Sequence, residues 1–203
     1  METDTYLTIK NPTEWLYKEK GSRFIALAYP VSSEGEVKDI VQQLKRQYHD
    51  ARHHCYAYVL GFKGDVWRAN DDGEPSSTAG KPIHGQLVSR GLTNVLVVVV
   101  RYFGGTKLGV SGLINAYKTA ASDALGKAEV ITRSINDVYK INFSYGVLNE
   151  VMRLIKDEEL AVKEQQFDTQ CMVMLGIRQS KVALVLEKFS KIESVMAEYM
   201  NTE

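Results

Sequence analysis

From Val95 to Val100 the chain reads VLVVVV, an apolar run with valine at every position but one and no polar alternation. Such a run is too short to cross a membrane and predicts a strand buried on both faces. Farther on, Leu113, Ile114, Tyr117, Ala120, Ala121, Ala124, Leu125 and Ala128 recur at helical spacing, so a helix is expected to begin near Gly112. Arg101, Tyr102 and Phe103 leave the strand, and Gly104, Gly105, Thr106, Lys107 and Gly109 lead to the helix. A strand end, a glycine-rich turn and a helix start together present unpaired backbone N–H groups. That setting suits an anion, phosphate above all.

Weaker patterns fill in the stretches before the valine run. Tyr6 to Lys10 reads as a strand, and Trp15 to Ala28 as two short strands around Lys20-Gly21-Ser22. Ser33 with Glu36 three residues on is a capping box. Behind it Val37, Ile40, Val41 and Leu44 give a helix one apolar face, ending near Tyr48. Ala51 to Leu60 and Val66 to Asn70 predict a hairpin closed by GFKGD. The stretch Asp71 to Gly85 (DDGEPSSTAGKPIHG) is dense in turn formers. It leads into a short helix with Ile83, Leu87 and Val88, stopped by Gly91.

From about Arg133 the pattern restarts. Tyr139, Ile141, Phe143 and Tyr145 alternate as a strand, and Leu148, Val151, Met152 and Ile155 mark a helix face. Leu160 and Val162, then Cys171, Val173 and Leu175, predict two strands joined across Gln165 to Thr169. Val182, Val185, Leu186 and Phe189 make a second helix, and Val195, Ala197 and Tyr199 a last strand. The order β-α-β-β-α-β is the ferredoxin-like split unit. The expectation is an α+β protein of two domains, residues 1–133 and 134–203, with no long linker between them.

Composition adds little to this and removes some options. A chain of 203 residues can hold one large domain or two small ones, and 44% hydrophobic content is that of a globular protein. With 25 basic and 25 acidic residues, bulk charge gives no sign of nucleic-acid binding. Up to Arg133 there are 17 basic and 14 acidic residues, and after it 8 and 11, so the halves carry +3 and −3. That asymmetry decides nothing alone. Cys55 and Cys171 lie far apart, which suits reduced thiols and no stable disulfide. METDTYLTIK has no basic segment followed by an apolar one, so the expected location is cytoplasmic, with no membrane association.

Three groups of residues carry candidate chemistry. The glycine loop has neither the Gly-Lys-[Ser/Thr] of a Walker A motif nor GxGxxG spacing, so a P-loop pocket is not expected. Its glycines either meet an anion or RNA backbone, with Lys107 alongside, or simply let the chain turn. Asp71, Asp72 and Glu74 read as hard ligands for a metal or as acid/base groups. DDGEP is not an EF-hand loop, and turn and capping chemistry ahead of Ser76, Ser77 and Thr78 is the competing reading. His49, His53, His54 and Cys55 are the densest set of soft ligands. On a strand His53 and Cys55 share a face, which allows a His-assisted thiol nucleophile, against the alternative of a buried inert cysteine. No second Cys/His pair completes a zinc site. Tyr56, Tyr58, Tyr102 and Phe103 either stack on bases or fill core.

DDGEPSSTAGKPI at Asp71 to Ile83, VLVVVVRYFGGTKLG at Val95 to Gly109 and GLINAY at Gly112 to Tyr117 closely resemble the IMPACT family, whose bacterial members are the YigZ-type proteins. ARHHCYAY at Ala51 to Tyr58 fits the same family. The resemblance implies an N-terminal α/β sandwich like a ribosomal-protein domain, with a left-handed crossover. It also implies a C-terminal ferredoxin-like domain similar to the last domain of elongation factor G. Eukaryotic members restrain a starvation-responsive kinase partly through an extra N-terminal domain. This chain starts directly with the family domain, so that activity is not expected whole. Ser111 and Asn115 stand where relatives commonly have Gly and Arg, and the lost cation weakens the anion site.

The resulting expectation is a binding protein, not an enzyme and without a cofactor, that contacts RNA, the ribosome or a translation factor. Its surface would comprise Arg101, Gly104, Gly105, Thr106, Lys107, Gly109, Gly112 and Lys81. The alternative is a hydrolase of a phosphorylated or peptide-like substrate using Asp71, Asp72 and Glu74, or His53 with Cys55. Oligomeric state and domain orientation are left open.

Overall fold

A computed structural model describes residues 4–168 and 170–203. Residues 1–3, where the reading of the N-terminus began, and Thr169, the end of the expected Gln165 to Thr169 connection, lie outside the described residues. The chain divides into two compact units, one of Tyr6–Arg133 and one of residues 134–203 together with residues 4 and 5.

In chain order the first unit holds, save for the end residues Thr5 and Ser134, β1 (Thr5–Ile9), β2 (Thr13–Glu19), β3 (Ser22–Pro30), α1 (Glu34–Gln47), β4 (His53–Leu60), β5 (Val66–Asn70), α2 (Gly80–Ser89), β6 (Val95–Tyr102), α3 (Gly109–Lys127) and β7 (Val130–Ser134). Five of the strands form an antiparallel sheet in the order β2-β3-β6-β4-β5. Strand β6 lies in the middle with a helical layer on each side. Val95, Val97 and Val99 face α2 and α3, while Leu96, Val98 and Val100 face α1. That two-sided burial is why the valine run shows no polar alternation. Strands β3 and β4 flank β6 and run parallel to each other, and α1 crosses between them. Strands β5 and β6 are likewise parallel, flank β4, and are joined by α2. Oriented with its first strand pointing up, each crossover steps to the same side, yet their helices lie on opposite faces. The two crossovers therefore have opposite hands, and one is left-handed, against the usual rule.

Local signals explain the joints. Lys20 and Gly21 form a two-residue hairpin turn with φ of 45° and 79°, the primed geometry that matches strand twist. Ser33 Oγ accepts the Glu36 N–H at 3.2 Å. The Glu36 carboxylate reaches back to the N–H of Ser32 at 2.6 Å rather than to that of Ser33. Helix α2 ends on Gly91 (φ 63°), with Gly91 N–H on the Val88 carbonyl and Leu92 N–H on that of Leu87, a Schellman closure.

Strands β1 and β7 pair as a separate ribbon, with Lys10 N–H donating to the Glu129 carbonyl at 2.9 Å. Strand β7 (VITRS) was not foreseen, because it is short, exposed and finds its partner far away in sequence. Helix α3 starts at Gly109, a turn earlier than Gly112. Glycine costs a helix least in its first turn, where backbone N–H groups lack partners anyway.

The second unit is β8 (Asn136–Ser144), α4 (Leu148–Asp157), β9 (Ala161–Phe167), β10 (Gln170–Arg178), α5 (Val182–Ser190) and β11 (Met196–Thr202). Its sheet order β11-β8-β10-β9 and βαββαβ sequence are ferredoxin-like. Ile141, Phe143, Cys171, Val173 and Leu175 pack under α4 and α5. The carboxylate of Asp4 accepts from Arg178 Nε at 2.7 Å and Nη2 at 2.9 Å, which fastens residue 4 to this unit. Cys55 and Cys171 are both buried free thiols. Among the described residues no helix is long and apolar enough to cross a membrane.

Candidate functional site

At one end of the five-stranded sheet β6 finishes beside the first residues of β3 and β4, with Arg101 opposite His53 and Tyr102 opposite Arg23. Strand β5 ends at the same place, with Asn70 opposite Tyr56. Two loops leave this end for α2 and α3. Arg90 at the end of α2 donates to Ser122 of α3 at 3.0 Å, and Glu74, just ahead of α2, meets Tyr117 of α3. The two helices thus run the same way, with both N-termini at this end.

The acidic loop consumes its own charge. Asp71 Oδ1 accepts the N–H groups of Ala79 (3.0 Å) and Gly80 (2.8 Å), and Oδ2 that of Ser77 (2.8 Å). It thereby caps α2, whose N-cap residue Ala79 has no side chain able to do so. Asp72 Oδ1 pairs with Lys45 Nζ at 2.8 Å and Oδ2 accepts the His54 N–H at 2.7 Å. Partial burial works against its charge, but these partners outweigh it and hold its carboxyl below the usual range. Glu74 Oε1 accepts from Arg101 Nη1 at 2.6 Å and from the Tyr117 hydroxyl at 2.7 Å. The Glu74 and Arg101 side chains are only 4% and 7% exposed.

These partners correct three expectations. The carboxylates of Asp71, Asp72 and Glu74 point to separate tasks, and among the described residues no group of three His, Cys, Asp or Glu converges to hold a metal. Arg101 is no exposed cation. Its guanidinium lies buried near the Phe24 and Phe103 rings, spends Nη1 on Glu74, and leaves Nε without an acceptor among the described residues. Cys55 is no activated nucleophile, because burial pushes its thiol far up and its Sγ lies 3.0 Å from the Asp71 carbonyl and 3.4 Å from the Tyr117 hydroxyl. The ring of His53 turns instead to the Asp72 carbonyl, with Nδ1 at 2.9 Å. His54 sits with Nε2 3.1 Å from the Tyr48 carbonyl, its pKa lowered by burial, and His49 is exposed elsewhere. Each acid of the loop is thus held by partners within the fold.

The glycine loop is the reverse. A Cβ on Gly104 would fall 1.9 Å from the Gly21 carbonyl carbon, so two backbones meet where only glycine fits. The Gly104 N–H is used internally, on Ser22 Oγ at 3.1 Å, and drops out of the anion surface. Beyond it the chain is open. Gly105 and Gly109 take left-handed φ of 88° and 72°. The N–H groups of Gly105, Thr106 and Lys107 make no hydrogen bond among the described residues. Helix α3 has no capping side chain and no acid in its first turn. Lys107 is exposed and, among the described residues, has no ion pair, and Lys81 is exposed in the first turn of α2. Gly112 sits inside the first turn with its Cβ position 3.0 Å from Leu108 Cβ. Of the aromatics, Tyr58 is buried, Tyr102 is half-buried and donates to Asp50 at 2.7 Å, and Phe103 is exposed.

Sequence reasoning missed Tyr117, read only as a helix face, and Ser22, read only as part of a turn. A hydroxyl-bearing aromatic amid alanines on a buried face was the available signal for the first.

The fold and this end of its sheet define a two-unit α+β protein whose first unit surrounds a buried valine strand with oppositely handed crossovers. The Impact N-terminal domain family model matches residues 20–125, and the chain belongs to the IMPACT family. It is 38% identical over 160 residues to the IMPACT family member YvyE of Bacillus subtilis (strain 168), covering 79% of this chain and 74% of that one. It is 30% identical to the IMPACT family member YigZ of Escherichia coli (strain K12), covering 89% of each. A crystal structure of a hypothetical protein aligns over 98% of both chains, with a TM-score of 0.76 at 28% identity.

Proposed function

We propose that this chain is a cytosolic, non-enzymatic binding protein acting around translation, through contact with RNA, the ribosome or a translation factor. The contact runs over Thr106, Lys107 and the Gly105–Gly112 backbone at the start of α3, together with Lys81 in the first turn of α2. The observation that carries this reading is the uncapped N-terminus of α3 next to a cation without a partner among the described residues. Amide groups and a lysine gathered there suit a phosphate of an RNA backbone. Family membership supports a place near translation, since the family is generally linked to its regulation.

The test is filter binding of a structured RNA by the full chain between 50 and 200 mM salt. Lys81→Ala combined with Lys107→Ala is expected to weaken binding about tenfold and to lower the salt slope by about 2, one unit per lost phosphate contact. Equal affinity and slope in the wild type and the double variant would remove this surface.

A further inference from the structure

On the sheet face covered by α1, a groove of about 400 Å³ runs between that helix and the β4–β5 hairpin. Lys38, Gln42 and Lys45 recur along α1 at one-face spacing and make one wall. Tyr56 and Tyr58, with their cross-strand partners Asn70 and Arg68, make the floor. Strand alternation brings them here, since Cys55, Ala57 and Val59 turn to the opposite core.

The charges in the groove are unequally occupied. Its carboxylates are taken, Glu34 by the Tyr58 hydroxyl at 2.5 Å and Asp72 by Lys45 and the His54 N–H. Lys38 and Arg68 are exposed and, among the described residues, their side chains have no hydrogen bond or ion pair. The side chain of Gln42 is uncommitted among the described residues too. Asn70 uses Oδ1 to accept the Asp72 N–H at 2.7 Å, which leaves its NH2 group to donate. The half-buried Tyr56 lies in the same lining, directly opposite Asn70 and one strand alternation from the Tyr58–Arg68 pair.

We infer that this groove binds one nucleoside phosphate unit, with the phosphate at Lys38 and Arg68, the base against Tyr56, and the base edge on Gln42 and Asn70. A bare anion would use the cations and leave the ring and carboxamides idle. An apolar ligand would leave two cations facing it. The volume fits a single nucleotide, at the small end of ligand pockets. A stacked ring and carboxamide contacts are the means by which proteins hold unpaired bases. A free mononucleotide and one unit of a single-stranded RNA share this chemistry. The inference does not use the glycine loop.

Calorimetric titration of the full chain tests it, with AMP, UMP, adenosine, inorganic phosphate and a five-nucleotide single-stranded RNA as probes. A mononucleotide is expected to bind at least tenfold more tightly than adenosine or phosphate. Lys38→Ala with Arg68→Ala, and separately Tyr56→Ala, should each weaken it about tenfold, while Tyr56→Phe retains it. Lys118→Ala, an exposed position on α3 outside both surfaces, should leave it unchanged. Tighter binding of the oligonucleotide assigns an RNA strand as the source, and equal binding assigns the free nucleotide. No binding of either mononucleotide, phosphate binding as tightly as AMP, or no response to the double variant overturns the inference. So does loss of AMP binding in Lys107→Ala, which would move the site to the glycine loop. Unaltered melting curves of the exposed-residue variants exclude misfolding as the cause.

Discussion

The loop from Asp71 to Ala79 and the loop from Phe103 to Leu108 each join a strand end to a helix start, on the same face and at the same end of one sheet. In the first, each carboxylate has found a partner within the fold: Asp71 the amides of α2, Asp72 the lysine of α1, Glu74 the Arg101–Tyr117 pair. In the second, apart from Gly104, the backbone N–H groups and Lys107 have none among the described residues. A loop dense in charge has spent it on folding, and a loop dense in glycine has kept its polar groups outward. Density of chemical groups in a sequence therefore misleads about where a ligand binds. What matters is which groups the folded chain has not already satisfied.

Removing the partner of a buried charge is the sharpest way to break this contrast. Glu74→Ala leaves the Arg101 guanidinium buried without its carboxylate and the Tyr117 hydroxyl without its acceptor. A loss of about 3–5 kcal/mol is expected in urea or thermal unfolding. A loss below about 1 kcal/mol would mean that the pair is not held as the geometry has it. Asp71→Ala comes next. It strands the N–H groups of Ser77, Ala79 and Gly80 at the start of α2, and about 1–3 kcal/mol should be lost. Protection of those amides from hydrogen exchange should fall before that of β6.

Much of this could be read in the residues beforehand, and the limits are physical. Period carried the elements: the unbroken valines marked the central strand, and Ser33 with Glu36 marked the start of α1. DDGEP followed by hydroxyl residues was already legible as turn and cap chemistry. What could not be read was which carboxylate meets which partner. Arg101 and Glu74 are 27 residues apart, and Tyr117 and Glu74 are 43 apart. Only the folded sheet brings them together. Arg101 looked exposed because it ends an apolar run beside a loop, whereas strand alternation turns it toward Phe24 and α3. Strand β7 escaped because its partner is β1, at the other end of the unit.

Acid offers a gentler probe of the closed side. Burial lowers the His54 pKa below its ordinary 6.5, so as pH falls the unfolded chain takes up that proton before the folded one does. Stability from this group is present above about 6.5 and drains away as pH drops toward the lower folded value. Asp72 has a pKa held below 3.8 by Lys45 and the His54 N–H against the opposing effect of burial. Its contribution is present above 3.8 and is lost as pH falls through the folded value, so the two act in the same direction in successive windows. Melting temperature measured from pH 7.5 to 5 should fall, and His54→Gln should flatten that part of the curve. An equally steep fall in the variant would place the sensitivity elsewhere.

The smallest expected change in stability comes from making the open end resemble the closed one. Ser111 is exposed in the first turn of α3, where no acidic residue stands. Ser111→Glu puts a carboxylate near the partial positive charge of that terminus, as Asp71 does for α2. A gain of about 0.3–1 kcal/mol is expected in thermal unfolding. The same charge repels phosphate from the amides and from Lys107, so RNA retention on filters should fall even as the protein grows more stable. Opposite signs in the two measurements would show that the open end of α3 is left unsatisfied at a cost to the fold, for the sake of a ligand. Gain or loss in both together would mean that the end is only another helix terminus.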